Sequence, residues 1–494
     1  MRSSASRQGS TPNFERSLRI IPDILLISHS KKRPMSSRIR SLFSLFKLSL
    51  SAAHQDYTTG SIRRAVLLLS VPMILEMCME SLFGVVDLFF VGKLGKEALA
   101  AAGLTESLLT IVFCVAVGMS MAATAMVARR IGEKNPEEAS HAGAQAILMG
   151  VAVTIVLTLV GYFYAPHLLQ IMGASPSVVA IGAPYTRVVF GGCLVIMLLF
   201  LINGIFRGAG NATIAMWSLW IGNGANILLC PLMIHFYGLP GAAYATVIGR
   251  AAGVAYQLYH LFNRKGVLRL LRKHFLPDWI IIRGIYSIAW TGTLQFLIGG
   301  ASWIVMARII AKNFGSEAIA GYQVAIRILI FFLLPAWGMG NAAATLVGQN
   351  LGAKQPLRAE QSVWAAARYN TIFMIGVSLL LLFWAGPIVG FINDDPGVDR
   401  VAVLALHIVS MGYVFYGVGM VLSNAFNGAG DSRTPTLLNL CCYWGFQMPI
   451  AYLMAVPWGL GPKGVFMAIL FAEVMITISS WLVFRRGNWK KVKI

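Results

Sequence analysis

Eleven residues in the first half of this chain return 220 positions later, in the same order and at the same spacings. Gly95, Glu97, Ala98 and Ala100 reappear as Gly315, Glu317, Ala318 and Ala320, and Gly132, Lys134 and Pro136 as Gly352, Lys354 and Pro356. Phe206-x-Gly208-Ala209-Gly210 reappears as Phe426-x-Gly428-Ala429-Gly430. One constant offset across three separate patches marks a duplicated unit, so whatever the first half folds into must be built twice.

Composition says what that unit is made of. Hydrophobic residues make up 57% of the chain and charged residues 12%, against about 25% charged in a soluble domain. Long apolar runs broken by Gly and Pro fit membrane helices, whose freed backbone groups neighbouring helices can re-satisfy. The 494 residues hold about a dozen spans of about 20–25 residues each. The expected helices are 62–91, 97–130, 136–164, 177–206, 211–236 and 240–262, then 284–312, 317–350, 356–391, 397–426, 433–457 and 462–484. The fold class is an all-α integral membrane protein of about twelve spans in two parallel-repeat six-helix lobes. An even helix number per lobe makes the repeat parallel, related by an axis along the membrane normal; a duplicated bundle of this kind moves a solute through a site between its halves.

Charge placement supports the alternation. Thirty basic residues, among them Arg129, Arg130, Arg207, Lys354 and Arg433, bound the termini and even-numbered gaps, and only five (Lys93, Lys96, Lys312, Arg400 and Lys463) bound the opposite loops. The positive-inside rule then puts both termini and the 263–283 loop in the cytoplasm, with the protein in the inner or plasma membrane. The net charge of +21 reads as orientation signal and contact with the lipid bilayer, and no nucleic-acid module accompanies it. The expected organisation is a basic N-terminal segment 1–60, a lobe 61–262, a basic linker 263–283, a lobe 284–484 and a basic tail 485–494. Residues 1–60 are compatible with a targeting peptide and equally with initiation at Met35, and 36–50 with a basic surface helix. The six cysteines lack metal spacing and read as buried small apolar residues.

The first span, RRAVLLLSVPMILEMCMESLFGVVDLFFVGKLG, contains Glu76, Glu80 and Asp87. At about 100° per residue, Glu80 lies about 40° and Asp87 about 20° around the helix from Glu76, so the three acids share one face. An ionised carboxylate at the bilayer centre costs about 2.5–3.5 kcal/mol, so this stripe must face a cavity, a partner or a cation. Clustered, partly desolvated carboxylates suit proton exchange near neutral pH. Tyr185, Arg187 and Asn203 on the fourth helix and Asn223 and Asn226 on the fifth are candidates to complete the site, set against the simpler reading of buried Asn as helix–helix glue. In the second lobe Gln295 stands one residue from the repeat mate of Glu76, and no acid stands near the mate of Asp87, so the acidic machinery is expected in the N-terminal lobe. Glu106, Arg250, Arg308, Arg327, Arg368, His407 and Glu473 read as individually weak signals near helix ends. No phosphate loop, metal motif or nucleophile elbow is present, and neither enzyme chemistry nor a cofactor is expected.

From about 60 to 485 the chain resembles the multidrug and toxic compound extrusion (MATE) transporters, on SVPMILE…VVDLFFVGKLG, ALAAAGLTES, ARRIGEKN, FRGAGN/FNGAGD and GLPGAAYATVIGR. The resemblance implies a V-shaped pair of bundles, expected to act as a monomer, exporting cationic or amphipathic small molecules against inward Na⁺ or H⁺. It also implies a coupling-cation site, for which the helix-one Asp falls on Asp87, the helix-four Asn on Asn203 and the helix-six Thr on Thr246. The helix-five N-x-x-x-D-P pattern falls on Asn226 to Pro231, with Cys230 in place of the second acid. Thiols are poor partners for a hard cation such as Na⁺. Either Na⁺ sits at Asp87, Asn203 and Asn226 with Glu76 or Glu80 supplying the missing charge, or the stripe is protonated; protons are the preferred reading. The expected cycle neutralises the stripe, bends helix one near Pro72, releases the substrate outward and rocks the lobes. Lipid-linked sugar flippases of the same superfamily are the alternative, set apart by extra C-terminal helices and a strongly cationic cavity; a membrane protein without transport leaves the buried acids unexplained.

Overall fold

Helices are the only regular secondary structure among the residues that the computed structural model describes, which are 44–51, 55–263, 266–393 and 395–494, the side chain of Leu88 excepted. Residues 44–49 are helical; the rest of the expected surface helix 36–50, and Met35, lie outside the described residues. The first half contains α1 (Ile62–Gly92), α2 (Lys96–Gly132), α3 (Pro136–Phe163), the short α4 (Ala165–Ile171), α5 (Pro176–Gly191), α6 (Cys193–Gly208), α7 (Ala212–Tyr237) and α8 (Leu239–Phe262). The second contains α9 (Trp279–Gly352), α10 (Pro356–Gly390), α11 (Pro396–Met411), α12 (Tyr413–Ala429), α13 (Arg433–Asn439), α14 (Met448–Ala455) and α15 (Pro462–Arg485), with a π-helix over Leu440–Gln447 joining α13 to α14.

Drawn as one rod, the 74 residues of α9 would run far beyond the bilayer core of about 30 Å. Gly315 breaks it, with φ 82° and ψ −176°, into two arms. The expected helices 177–206 and 397–426 are each bent, by 41° at Gly192 and by 56° at Gly412. Taking each bent pair as one span, up to nine crossings are apolar and long enough among the described residues. Seven of the helices are apolar and long enough to cross unaided; α8 is less so because Arg250 and Gln257 occupy its buried positions.

The duplication is written into backbone geometry. Among the described residues, Lys134 and Lys354, repeat mates, are the non-glycine residues with left-handed backbone, at φ 61° and 58°. They end α2 and the second arm of α9 just before Pro136 and Pro356, whose rings suit the first turn of the next helix. Gly132 and Gly352 mark where these two helices meet. A Cβ on Gly132 would fall 2.0 Å from the Gln349 carbonyl oxygen, and one on Gly352 2.1 Å from that of Arg129. Gly118 against Thr293 and Gly338 against Met73 repeat this reciprocity further along. Each contact is matched by its symmetry mate, as a twofold axis between the halves requires. The lobes therefore converge at the end carrying the Lys134 and Lys354 turns.

Residues 56–60 and the C-terminal tail tie that end together. Lys134 Nζ binds Asp56 Oδ2 at 2.7 Å, and Arg358 in the second half donates to the carbonyl oxygens of Tyr57, Thr59 and Gly60. Partial burial of the Asp56 carboxyl works the other way, but its bonds to Lys134 and Thr58 prevail and hold it down at about 2. Arg129, expected as a loop charge, is instead buried and donates to Ala429 O at 3.2 Å and Val492 O at 3.0 Å, pinning the tail. The cysteines also depart in part from expectation: Cys78 and Cys441 are exposed, the other four buried.

Candidate functional site between the lobes

Two carboxylates of α1 face protein groups, as a shared helix face requires. Glu76 is buried, and its Oε1 accepts from Asn203 Nδ2 of α6 at 3.0 Å with Arg207 Nη1 at 3.9 Å. Asn203 Oδ1 accepts in turn from Ser218 Oγ (2.9 Å) and Gln257 Nε2 (2.6 Å), so one amide joins α1, α6, α7 and α8. Arg207 also donates to Ser120 Oγ at 3.1 Å. One turn on, Glu80 accepts from Asn223 Nδ2 at 2.9 Å and pairs with Arg250 Nη2 at 3.3 Å. The Arg250 guanidinium lies within 6.0 Å of the ring centroids of Phe83, Phe113 and Phe200, an aromatic cradle that offsets part of its desolvation.

Asp87 sits apart from this pair. Its Oδ1 is buried and accepts no hydrogen bond, and it lies within electrostatic reach of Glu106, Arg250, Tyr185 and Cys230. Tyr185 and Cys230 are both buried. Asn226 Nδ2 donates to Thr246 Oγ1 at 2.9 Å, leaving the Asn226 carbonyl oxygen unpartnered. The residues expected to act together are thus divided along α1: Glu76 is bonded to Asn203 and Glu80 to Asn223, and Asp87 stands apart from both. Asn203 hydrogen-bonds Glu76 rather than Asp87.

Two residues read otherwise in the sequence belong to this constellation. Arg207, counted there with the loop charges, is buried beside Glu76. Arg250, set aside as a weak signal, is 3% exposed and paired. A basic residue midway along an apolar span is the signal that identifies Arg250; the signal for Arg207 was hidden because the RGAG turn made it look terminal. Two acids of the stripe, Glu76 and Glu80, are consequently counter-charged in the N-terminal lobe.

Side chains of both lobes enclose a cavity of about 180 Å³, walled by Met77, Phe113, Phe200, Phe296 and Trp337 with Glu80 and Arg207 at its polar edge. It continues into a second space of about 380 Å³ lined mostly by the C-terminal lobe, with Thr110 and Cys114 of α2 on its wall, and shares Phe296, Trp337, Asn424 and Asn427 with the first. Gln295 lines the latter, and its Nε2 donates to Ser423 Oγ at 3.2 Å. Ser423 is the repeat mate of Asn203, whereas Gln295 stands one residue short of the mate of Glu76.

A duplicated bundle of apolar helices around a cavity shared by its halves defines a membrane transporter, not an enzyme. The MatE family model matches residues 72–232 and again 293–453. The chain belongs to the multidrug and toxic compound extrusion family. It is 23% identical to the probable multidrug resistance protein NorM of Thermotoga maritima, over 91% of this chain and 97% of that protein. It is 22% identical to the multidrug export protein MepA of Staphylococcus aureus (strain N315), over 85% and 93% of the two chains. Among solved structures, an outward-facing multidrug resistance MATE transporter superposes with a TM-score of 0.83 at 25% identity, covering 88% of this chain and 98% of that one.

Proposed function

We propose that this chain exports cationic or amphipathic small molecules in exchange for H⁺ or Na⁺, with the Lys134 and Lys354 turns and both termini on the cytoplasmic side of an inner or plasma membrane. The carrying observation is the inter-lobe cavity, whose aromatic and methionine walls suit a large apolar cation and whose edge holds ionisable groups. The close helix crossings at the basic end support a state closed to the cytoplasm.

Protons are the favoured coupling ion. Glu76 Oε2 and Asp87 Oδ1 are buried without a donor, and an ionised oxygen left so is costly. A proton on either group relieves that cost without further ligands. Na⁺ needs several oxygens, and around Asp87 one of the expected donors is the Cys230 thiol while Asn203 is engaged by Glu76. The test is dye efflux from proteoliposomes under a pH gradient alone and under a sodium gradient alone. Efflux on the pH gradient supports the proton reading and efflux on sodium alone reverses it. No dye movement under either gradient refutes the proposed activity.

A further inference from the structure

The duplication leaves one pair of equivalent places filled unequally. In the first half, the turn 210–213 and Leu68 of α1 are covered by residues 48–57. Thr213 Oγ1 donates there to Ser49 O at 2.9 Å, and only about 10 Å³ stays open. The repeat mates, the turn 430–433 and Ile288 of α9, line an open groove of about 760 Å³. Residues 268–277, which stand where 48–57 do in the repeat, are held on α3 instead, with Gln145 Nε2 donating to the carbonyl oxygens of His274 and Leu276. None of them lines the groove.

Three elements bring cations to this groove: Arg283 from α9, Arg433 from the start of α13 and Lys493 from the tail. All three are exposed, and among the described residues none is in an ion pair. The acidic side chain of the wall, Asp431, is engaged by its own turn, its two oxygens accepting from the N–H and the hydroxyl of Thr434. Arg433 stands where the first half has Thr213, so this cation belongs to the second copy alone. Beside them Trp279 and Ile280 open α9, 76% and 85% exposed. Such side chains at the start of a spanning helix lie at the level of the lipid headgroups. Gly284, Ser287 and Ile288, one and two turns further along α9, continue the groove towards the hydrocarbon.

We propose that this groove seats an anionic phospholipid, its phosphate on Arg283, Arg433 and Lys493 and an acyl chain along Ile280, Gly284 and Ile288. Guanidinium forks and an ammonium group suit phosphate oxygens, and a basic recess at a membrane surface attracts anionic headgroups. Free phosphate matches the cations but not the exposed Trp279 and Ile280, and it is far smaller than the groove. Residues 1–43 carry net positive charge and are no complement to it. The inference goes beyond the export reading and does not use it; it needs only that the start of α9 lies at a bilayer surface. Arg129, at the crossing of the lobes, holds the carbonyl oxygen of Val492 next to Lys493. The bound lipid thereby fastens the tail against that crossing.

The experiment uses full-length protein in detergent, titrated with dioleoylphosphatidylglycerol or dioleoylphosphatidylcholine, with bound lipid counted by native mass spectrometry. One phosphatidylglycerol should bind at least tenfold more tightly than phosphatidylcholine. Arg283→Gln/Arg433→Gln/Lys493→Gln should erase that preference. Arg485→Gln/Arg486→Gln/Lys491→Gln removes the same charge from the neighbouring tail, outside the groove, and should keep it. In the wild-type protein, phosphatidylglycerol should slow acetylation of Lys493 several-fold and leave that of the exposed Lys491 unchanged, so the result does not hang on a variant that folds. Equal loss of preference in the two triple variants, or acetylation of Lys493 indifferent to the lipid, overturns the site. Protection of Lys493 by millimolar inorganic phosphate as strong as that by the lipid overturns the choice of a phospholipid as occupant.

Discussion

Arg250 of α8 reaches Glu80 of α1 at 3.3 Å while three phenylalanine rings close over its guanidinium. The pair ties the first helix of the lobe to the last at mid-span, and it lies where solvent can help little, with the Arg250 side chain 4% and the Glu80 side chain 20% exposed. Breaking a buried pair from one side leaves an uncompensated charge. Arg250→Met should therefore destabilise the protein by about 3 kcal/mol, the low end of the buried-pair range because Glu80 keeps some solvent. Thermal melting in detergent should show the loss, and the double variant Glu80→Gln/Arg250→Met should recover most of it. A melting point untouched by Arg250→Met contradicts the account.

Asp87 is the acid of α1 that the structure leaves without a basic partner at ion-pair distance, among the described residues. If its charge state drives the cycle, Asp87→Asn should reduce gradient-driven ethidium efflux from proteoliposomes at least tenfold and leave equilibrium ethidium binding intact. Normal efflux by this variant would remove Asp87 from the coupling scheme.

The crossing of α2 with the second arm of α9 tolerates no side chain at Gly132 or Gly352, since even a methyl carbon would overlap a carbonyl oxygen. Gly352→Ala should cost about 1–3 kcal/mol, the usual scale of overpacking, and push the lobes apart at this end. A disulfide trap between cysteines placed on the 132–136 and 352–356 turns should form in the parent and fade in the variant. Equal trapping would show that the crossing is looser than its geometry.

Asp56 links pH to the strap at the N-terminal edge. Its carboxyl is held down at about 2 against an ordinary value of 3.8, so the contribution of its bond to Lys134 is complete above the ordinary value. It is lost as pH falls through about 2. Limited proteolysis of residues 55–60 should be slow at pH 5 and accelerate towards pH 2. Asp56→Asn should be cut faster already at pH 5 and show a smaller pH response. Since the Asp56 side chain is 39% exposed, solvent screening keeps the effect local, and global melting at neutral pH should move little.

Much of the fold was legible along the chain because the bilayer imposes it. Apolar length sets a crossing and a constant offset reveals duplication; both are one-dimensional properties. The paired turns at Lys134 and Lys354 show why those motifs stand out, since each holds an unusual backbone angle that few residue sequences accommodate. Bends at Gly192 and Gly412 were not anticipated, because a glycine in an apolar run signals close packing as readily as a break.

The stripe of Glu76, Glu80 and Asp87 likewise follows from helical periodicity, and so does its exclusion from lipid. Which group each acid meets does not. Arg207 looked like a loop charge and Glu473 like one weak signal among several near helix ends, yet one is buried beside Glu76 and the other lines the larger of the two joined cavities. Sequence alone determined that charge must be hidden inside a twofold membrane bundle, because lipid penalises it wherever the helix turns outward. Only tertiary structure decided which charges are cancelled and which are left facing the cavity, because that depends on helices that are distant in sequence and packed within hydrogen-bonding reach.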